Sequence, residues 1–217
     1  MKKRLGIFGG TFDPIHIGHL IIAEAARQEC DLEKVLFIPV NSPPHKNDRI
    51  VSSPDHRFEM TRLAVEDNSC FEALNIELKR GGISYTIDTL TALDGIYSGD
   101  YEFWLILGGD SLLAIETWKE HEKVIDMCNL AVSARPGYSY DKCKVKSEEL
   151  RNTWETKIQF IDSPLIDISS TDIRHRIAKG RPVRYMVPDK VWEYLIVNSV
   201  FLYNSSAPTG IKGSCQG

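Results

Sequence analysis

The chain has 217 residues, 42% hydrophobic and 26% charged, with a formal net charge of −4 and an isoelectric point near 5.9. That balance suits one sizeable α/β domain and argues against a general nucleic-acid binder, which carries a basic excess. Five cysteines with no C-x-x-C spacing argue against a disulfide framework or a zinc site, and without a leader-like N-terminus or a membrane-length apolar run the expected location is cytoplasmic.

Residues 5–8 are apolar and read as a buried strand; residues 20–28 are good helix formers. Between them runs Gly9-Gly10-Thr11-Phe12-Asp13-Pro14-Ile15-His16-Ile17-Gly18-His19, a strand-to-helix turn. Two adjacent glycines let backbone N–H groups approach a ligand with no Cβ in the way. The helix start adds unpaired N–H donors at the positive end of its dipole, so the turn is an anion site, phosphate above all. His16 and His19 share one face of that helix start and add donors for the same anion.

Residues 34–40 form a second apolar strand, followed by a polar loop where Pro43-Pro44 stiffens the presentation of His45 and Lys46. Ser52 or Ser53 caps a helix from Pro54 to about Glu66. Its Arg57 and Arg62 read as solvated or ion-paired, and His56, like His121 and His175, as incidental. Residues 71–78 alternate in polarity and read as a strand, broken at Arg80-Gly81-Gly82. Ser84 is the candidate cap of a helix reaching about Ile96. Residues 103–107 are an unbroken apolar run, as in a central parallel strand, ending at a second glycine turn, Gly108-Gly109-Asp110. There follow a helix over 118–125 after Thr117, a strand over 130–134, then Arg135-Pro136-Gly137. A polar stretch with a short helix over 147–154 leads to a strand over 158–161, a helix from Ser169 to about Lys179, and a last helix over 188–197.

Strand–helix alternation along the whole chain predicts an α/β fold: a Rossmann-like parallel sheet with helices on both faces. One domain over 1–203 is expected, with a disordered tail over 204–217. Both glycine turns fall at the C-terminal ends of strands, where ligands of such sheets bind. Ser169-Ser170-Thr171-Asp172-Ile173-Arg174 is a second helix start carrying hydroxyls and an arginine. Alone it is equally a capped surface helix; with the first turn and Lys46 it points to a polyphosphate, hence a nucleoside triphosphate. The chain has no G-x-x-x-x-G-K-[ST], no G-x-G-x-x-G and no G-x-S-x-G, which excludes the P-loop, dinucleotide-redox and nucleophile-elbow readings.

The stretch Gly9-Gly10-Thr11-Phe12-Asp13-Pro14 with His16-Ile17-Gly18-His19 resembles the H-x-G-H motif of the nucleotidylyltransferase superfamily. Ile168-Ser169-Ser170-Thr171-Asp172-Ile173-Arg174 resembles that superfamily's I-S-S-T-x-I-R motif. Further stretches narrow the resemblance to the bacterial nicotinate-nucleotide adenylyltransferase family over residues 5 to about 200: Pro43-Pro44-His45-Lys46, Ser84-Tyr85-Thr86 with Asp88-Thr89-Leu90, Gly108-x-Asp110 with Trp118, Arg135-Pro136-Gly137, and Pro188-Asp189-Lys190-Val191. The tail from Asn204 has no counterpart in that pattern.

The resemblance implies transfer of the adenylyl group of ATP to nicotinate mononucleotide in NAD biosynthesis, giving nicotinate adenine dinucleotide and pyrophosphate. The attacking phosphate oxygen is already anionic, so neither a base nor a protein nucleophile is needed; the task is to gather polyanions and stabilise charge. By resemblance, His16, His19, Lys46 and Arg174 are the catalytic charge stabilisers. ATP is implied against Gly9, Gly10, Thr11, Phe12, His16, His19, Gly108, Asp110, Ser170, Thr171 and Arg174. The acceptor is implied against Lys46, Tyr85, Thr86, Trp118 and Arg135, with Trp118 stacked on the nicotinate ring and backbone N–H groups of Tyr85 and Thr86 on its carboxylate. A tryptophan taken alone is ordinary core packing. Arg135 either lies near the acceptor or pairs at the sheet edge. Mg²⁺ is expected on the ATP phosphates, without protein side-chain ligands. ATP and nicotinate mononucleotide are the expected partners, with no nucleic acid and no membrane; a homo-oligomer is left open.

Alternatives are the same chemistry on nicotinamide mononucleotide or phosphopantetheine, or a non-catalytic nucleotide sensor, which would be expected to lack a phosphate-contacting residue. A tRNA-synthetase fragment shares the H-x-G-H tetrapeptide but would need an anticodon domain and a basic surface. A structural protein would need neither helix-start motif.

Overall fold

The eight residues Lys3–Gly10 form β1, and the other strands are placed by their relation to it. β2 (Lys34–Pro39) pairs with it on one side and β4 (Tyr101–Gly108) on the other. β3 (Phe71–Ala73) lies outside β2; β5 (Asn129–Ser133) and β6 (Ile158–Phe160) extend the sheet beyond β4. The order is β3-β2-β1-β4-β5-β6, and every pairing is parallel. The chain walks outward from β1 through β2 and β3, then returns to lay β4 on the opposite side. The strand order therefore reverses at β1, as in a doubly wound Rossmann-like sheet. The computed structural model describes residues 2–42, 52–97, 99–133, 138–164 and 166–202. Pro43 to Lys46, Arg135 and the 204–217 tail lie outside the described residues.

The connecting helices are α1 (Ile17–Glu29), α2 (Pro54–Val65), α3 (Ile76–Arg80), α4 (Thr86–Tyr97), α5 (Gly109–Leu113), α6 (His121–Met127), α7 (Tyr138–Thr153), α8 (Ser170–Ala178) and α9 (Asp189–Val197). Alternate strand residues feed two cores, because side chains on a strand point to opposite faces in turn. Phe8, Val35, Phe37, Trp104 and Ile106 pack with Ala23 and Ala26 of α1, Met60 of α2, Ile173 of α8 and Val191 of α9. Leu5, Ile7, Leu36, Ile38, Leu105 and Leu107 pack with Leu90 of α4, Leu112 of α5, Val124 of α6 and Leu150 of α7. Two helices start as their sequences suggest. Ser53 accepts the His56 N–H at 3.2 Å and Ser169 accepts the Asp172 N–H at 3.1 Å, caps worth about 1 kcal/mol each.

Four sequence expectations are corrected. The alternating stretch 71–78 is a three-residue edge strand followed by α3; a short apolar alternation fits either state, and Glu77 turns inward to accept the Thr89 hydroxyl at 2.6 Å. Trp118 lies outside any helix: Ile115–Thr117 is a 3₁₀ turn, Trp118 is extended (φ −78°, ψ 149°), and α6 begins at His121. The helix expected over 147–154 is the end of the 16-residue α7. Ser84 Oγ accepts the Asn41 N–H at 2.9 Å, joining two loops.

Leu36 is fully buried in the central part of the sheet, whereas Arg62 is an exposed partner of Glu59 and Glu66. Urea titration is expected to show Leu36→Ala losing about 2–5 kcal/mol, since a cavity is left. Arg62→Ala is expected to lose less than about 1 kcal/mol, as exposed pairs contribute little.

Candidate active site

β1 and β4 pair only as far as Ile7–Leu105, although each strand runs three residues further, to Gly10 and Gly108. β1 stays paired with β2 through Gly10–Pro39, and β4 with β5 through Gly108–Ser133. The sheet therefore splits at its switch point, and the split opens into a cavity of about 710 Å³. Gly9, Gly10, Thr11 and Gly108 form its floor; Tyr85, Thr86 and Trp118 line it from the α4 side. A Cβ on Gly9 or Gly108 would meet nothing within 4 Å, so these backbones front open space. Gly10 is different: a Cβ there would lie 2.8 Å from the Phe12 ring. Phe12 has φ 47° and is 2% exposed, its ring edge-on to His19 at 5.1 Å. Its side chain belongs to the core, and only its backbone reaches the turn.

His16 is the N-cap of α1 and its backbone N–H donates to His19 Nδ1 at 3.2 Å. That bond leaves the His19 proton on Nε2, making this nitrogen a donor. The two rings stack at 3.7 Å with 22° between their planes. Gly18 leaves room for this stacking, since a Cβ would stand 3.1 Å from His16 Nδ1, closer than ordinary van der Waals contact. Burial pushes the His16 imidazole down to about 4. Burial, then the neighbouring His16, holds His19 well below the ordinary histidine value. Both are neutral at pH 7.

The second helix start packs directly on the first turn. Ser170 Oγ donates to the Pro14 carbonyl at 2.9 Å; Arg174 donates to the Asp13 carbonyl at 2.6 Å and to Thr171 Oγ at 3.2 Å. The Ile17 N–H donates to the Met186 carbonyl at 3.0 Å, adding a further tie. Ser170 and Arg174 thus brace the turn through its carbonyls. Asp110 is exposed on the first turn of α5, beside Ser111, which lines the cavity. Tyr85 carries Lys119 Nζ over its ring at 4.6 Å, and Lys119 also reaches Asp88 at 3.4 Å.

Arg57, expected at a solvated or ion-paired face, is 1% exposed and donates to backbone carbonyls. The signal for it lay in its spacing: Arg57, Met60, Thr61 and Val65 make the buried stripe of α2. Glu77, buried at 5% and lining the cavity, gave no such signal. Among the described residues, no three His, Cys, Asp or Glu are arranged to hold a metal ion, and no helix is long and apolar enough to cross a membrane.

A split parallel sheet with glycine-ended strands and two interlocked helix starts defines a nucleotide-binding α/β protein of the nucleotidyltransferase type. The cytidylyltransferase-like family model matches residues 7–176. A probable nicotinate-nucleotide adenylyltransferase of Thermoanaerobacter sp. (strain X514) is 42% identical over 210 residues, 97% of this chain and 99% of that one. Another, of Desulfitobacterium hafniense (strain Y51), is 45% identical over 195 residues, 89% of this chain and 93% of that one. In fold, the chain is similar to Plasmodium falciparum nicotinic acid mononucleotide adenylyltransferase complexed with APC, with a TM-score of 0.72 at 19% identity over 93% of this chain and 98% of that one. The chain belongs to the nicotinate-nucleotide adenylyltransferase family, a branch of the cytidylyltransferase-like nucleotidyltransferases.

The depressed histidines set a pH dependence. A folded value below the unfolded one (6.5 for His16) means the unfolded chain takes up protons first, so stability is full above about 6.5 and is lost as pH falls toward about 4. Proton NMR of the imidazoles is expected to show His16 titrating near 4, and His16→Gln to flatten the fall in melting temperature across that window.

Proposed function

We propose that this chain transfers the adenylyl group of ATP to nicotinate mononucleotide. A phosphate oxygen of the mononucleotide attacks the α-phosphorus, the bond from that phosphorus to the bridging oxygen breaks, and pyrophosphate leaves. Nicotinate adenine dinucleotide is the product. The observation that carries this reading is the parting of β1 and β4 after Ile7–Leu105, which joins the phosphate turn and the Tyr85–Thr86–Trp118 wall in one cavity. Such a cavity holds a triphosphate on one side and a flat acceptor on the other, and proximity supplies much of the rate.

In this reading the backbone N–H groups of Gly9 and Thr11 receive ATP phosphates, and Gly10 between them keeps the approach free of a side chain. His19 Nε2–H, beside neutral His16, donates to the α-phosphoryl oxygens as charge builds there, and no proton is abstracted. Thr171 and Arg174 serve the phosphates while holding the turn, with Ser170 as its brace. Gly108 and Asp110 take the adenosine side. Trp118 stacks on the pyridine ring, and the start of α4 at Tyr85–Thr86 receives the carboxylate, as a helix N-terminus favours an anion. Lys46 adds positive charge to the acceptor phosphate, and Arg135 either lies near the acceptor or pairs at the sheet edge. Buried Glu77 lines the cavity and accepts from Thr89, and Asp13 on the turn accepts from Ser52; a Mg²⁺ ion carried by the triphosphate would, when bound, neutralise phosphate charge. A cytoplasmic location belongs to the same proposal, supported by the free Cys30, Cys128 and Cys143 thiols.

Purified protein with ATP and Mg²⁺ is expected to release pyrophosphate with nicotinate mononucleotide, and far less with nicotinamide mononucleotide or phosphopantetheine. Release with either of those alone would assign a different acceptor. His19→Ala is expected to keep the circular-dichroism spectrum and lose kcat by about 100-fold or more; near-normal turnover would remove His19 from the reaction. Trp118→Ala is expected to raise the acceptor KM by about tenfold through lost stacking, with the ATP KM little changed. Equal changes in both would make the tryptophan structural.

A further inference from the structure

We propose that Arg57 is a positioning residue that sets the phosphate turn and the acceptor wall from a single point between them. The inference rests on the adenylyltransferase reading and adds to it a residue that touches neither substrate. Arg57 spreads its guanidinium over carbonyls from three segments: Nε donates to Ser52 at 3.2 Å, Nη1 to Thr11 at 3.1 Å and also to Val40, and Nη2 to Asn41 at 3.0 Å. Thr11 belongs to the phosphate turn. Val40 is tied to the same turn by its own N–H, which donates to the Gly10 carbonyl at 2.9 Å. The first half of the connection is therefore one guanidinium and four backbone atoms, closed on itself at Gly10–Thr11.

The second half starts at Asn41. Its backbone N–H donates to Ser84 Oγ at 2.9 Å and its Nδ2 to the Gly82 carbonyl at 2.8 Å. The Ser84 N–H returns to the Ser42 carbonyl at 3.0 Å. Tyr85 and Thr86, which line the cavity, follow directly. A continuous path thus runs from the Thr11 carbonyl through Arg57 to Asn41, then across to residues 82–84 and the start of α4. Burial pulls the Arg57 guanidinium below its ordinary value, and buried Asp13 on the turn and buried Glu77 on the acceptor side oppose that by favouring the charge. A planar five-donor group is what this junction needs. A lysine carries the same charge as a point with three donors and cannot fan over four carbonyls.

The test is calorimetric titration of ATP and of nicotinate mononucleotide into wild type, Arg57→Lys, Asn41→Ala and the double variant, with kcat/KM measured alongside. Arg57→Lys is expected to weaken both ligands and to lower kcat/KM about 100-fold, as small misplacements do. Asn41→Ala, which removes from the acceptor half its side-chain bond to Gly82, is expected to weaken the mononucleotide by about tenfold, keep ATP within about twofold, and be non-additive with Arg57→Lys for the mononucleotide. A merely structural arginine would lower the melting temperature and leave both affinities of the folded molecules at wild-type values, which would overturn the proposal, as would additive effects. If Arg57→Lys does not fold, a wild-type mononucleotide affinity in Asn41→Ala overturns it. Wild-type protein that binds ATP and not the mononucleotide overturns the functional reading, and the acceptor half of this inference with it.

Discussion

The structure depends on how β1 parts from β4. A parallel sheet covered on both faces keeps its backbone groups paired, because buried N–H and C=O groups without partners are costly. Here the ladder holds through Ile7–Leu105 and then opens, while both strands stay paired on their outer sides. The facing edges of the last three residues of each strand lose their strand partners at the one place where the chain reverses direction across the sheet. Small residues at Gly9 and Gly108 leave those edges bare to the cavity. The two cores pack against opposite faces of the strands that flank the split.

The electrostatics of the turn are less cationic than its histidines suggest. Two imidazolium charges about 4 Å apart repel by about 4 kcal/mol at an effective dielectric constant of 20, and these rings stack at 3.7 Å. Both lie too deep for a charge to be solvated, so they are neutral in the protein alone. Their value is orientation: the His16 N–H holds His19 Nδ1, and the opposite nitrogen is left as a fixed donor. Arg174 spends part of its guanidinium on Asp13 and Thr171. The site is built of directed donors held by backbone, which suits a charge that develops only during reaction.

Much of this was legible in the chain. The alternation of apolar runs with helix formers gave a parallel sheet, and the two glycine turns were correctly placed at strand ends. The Ser169 cap and the helix after Pro54 were readable from local chemistry. What failed was local too: the alternating stretch at 71–78 was equally able to be a strand or a short helix, and contacts with Thr89 and the edge of β2 decided it. Trp118 was expected on a helix, but a 3₁₀ turn ends beside it and leaves it extended at the cavity wall. Arg57 shares the spacing of the buried stripe of α2, but a charge usually means solvent, and nothing nearby in sequence announces four carbonyls gathered from residues 11, 40, 41 and 52.

The amino-acid sequence by itself determined the kind of sheet, the position of both phosphate-directed helix starts and the His16–Gly18–His19 spacing, because each depends on residues within one or two turns of chain. Only the tertiary structure decided that the two helix starts interlock through Ser170 and Arg174, that β1 and β4 separate after Ile7 and Leu105, and that one buried arginine joins the two walls of the cavity. These are contacts between segments distant in the chain, made by backbone carbonyls that carry no residue identity, and so they leave no pattern that a sequence can display.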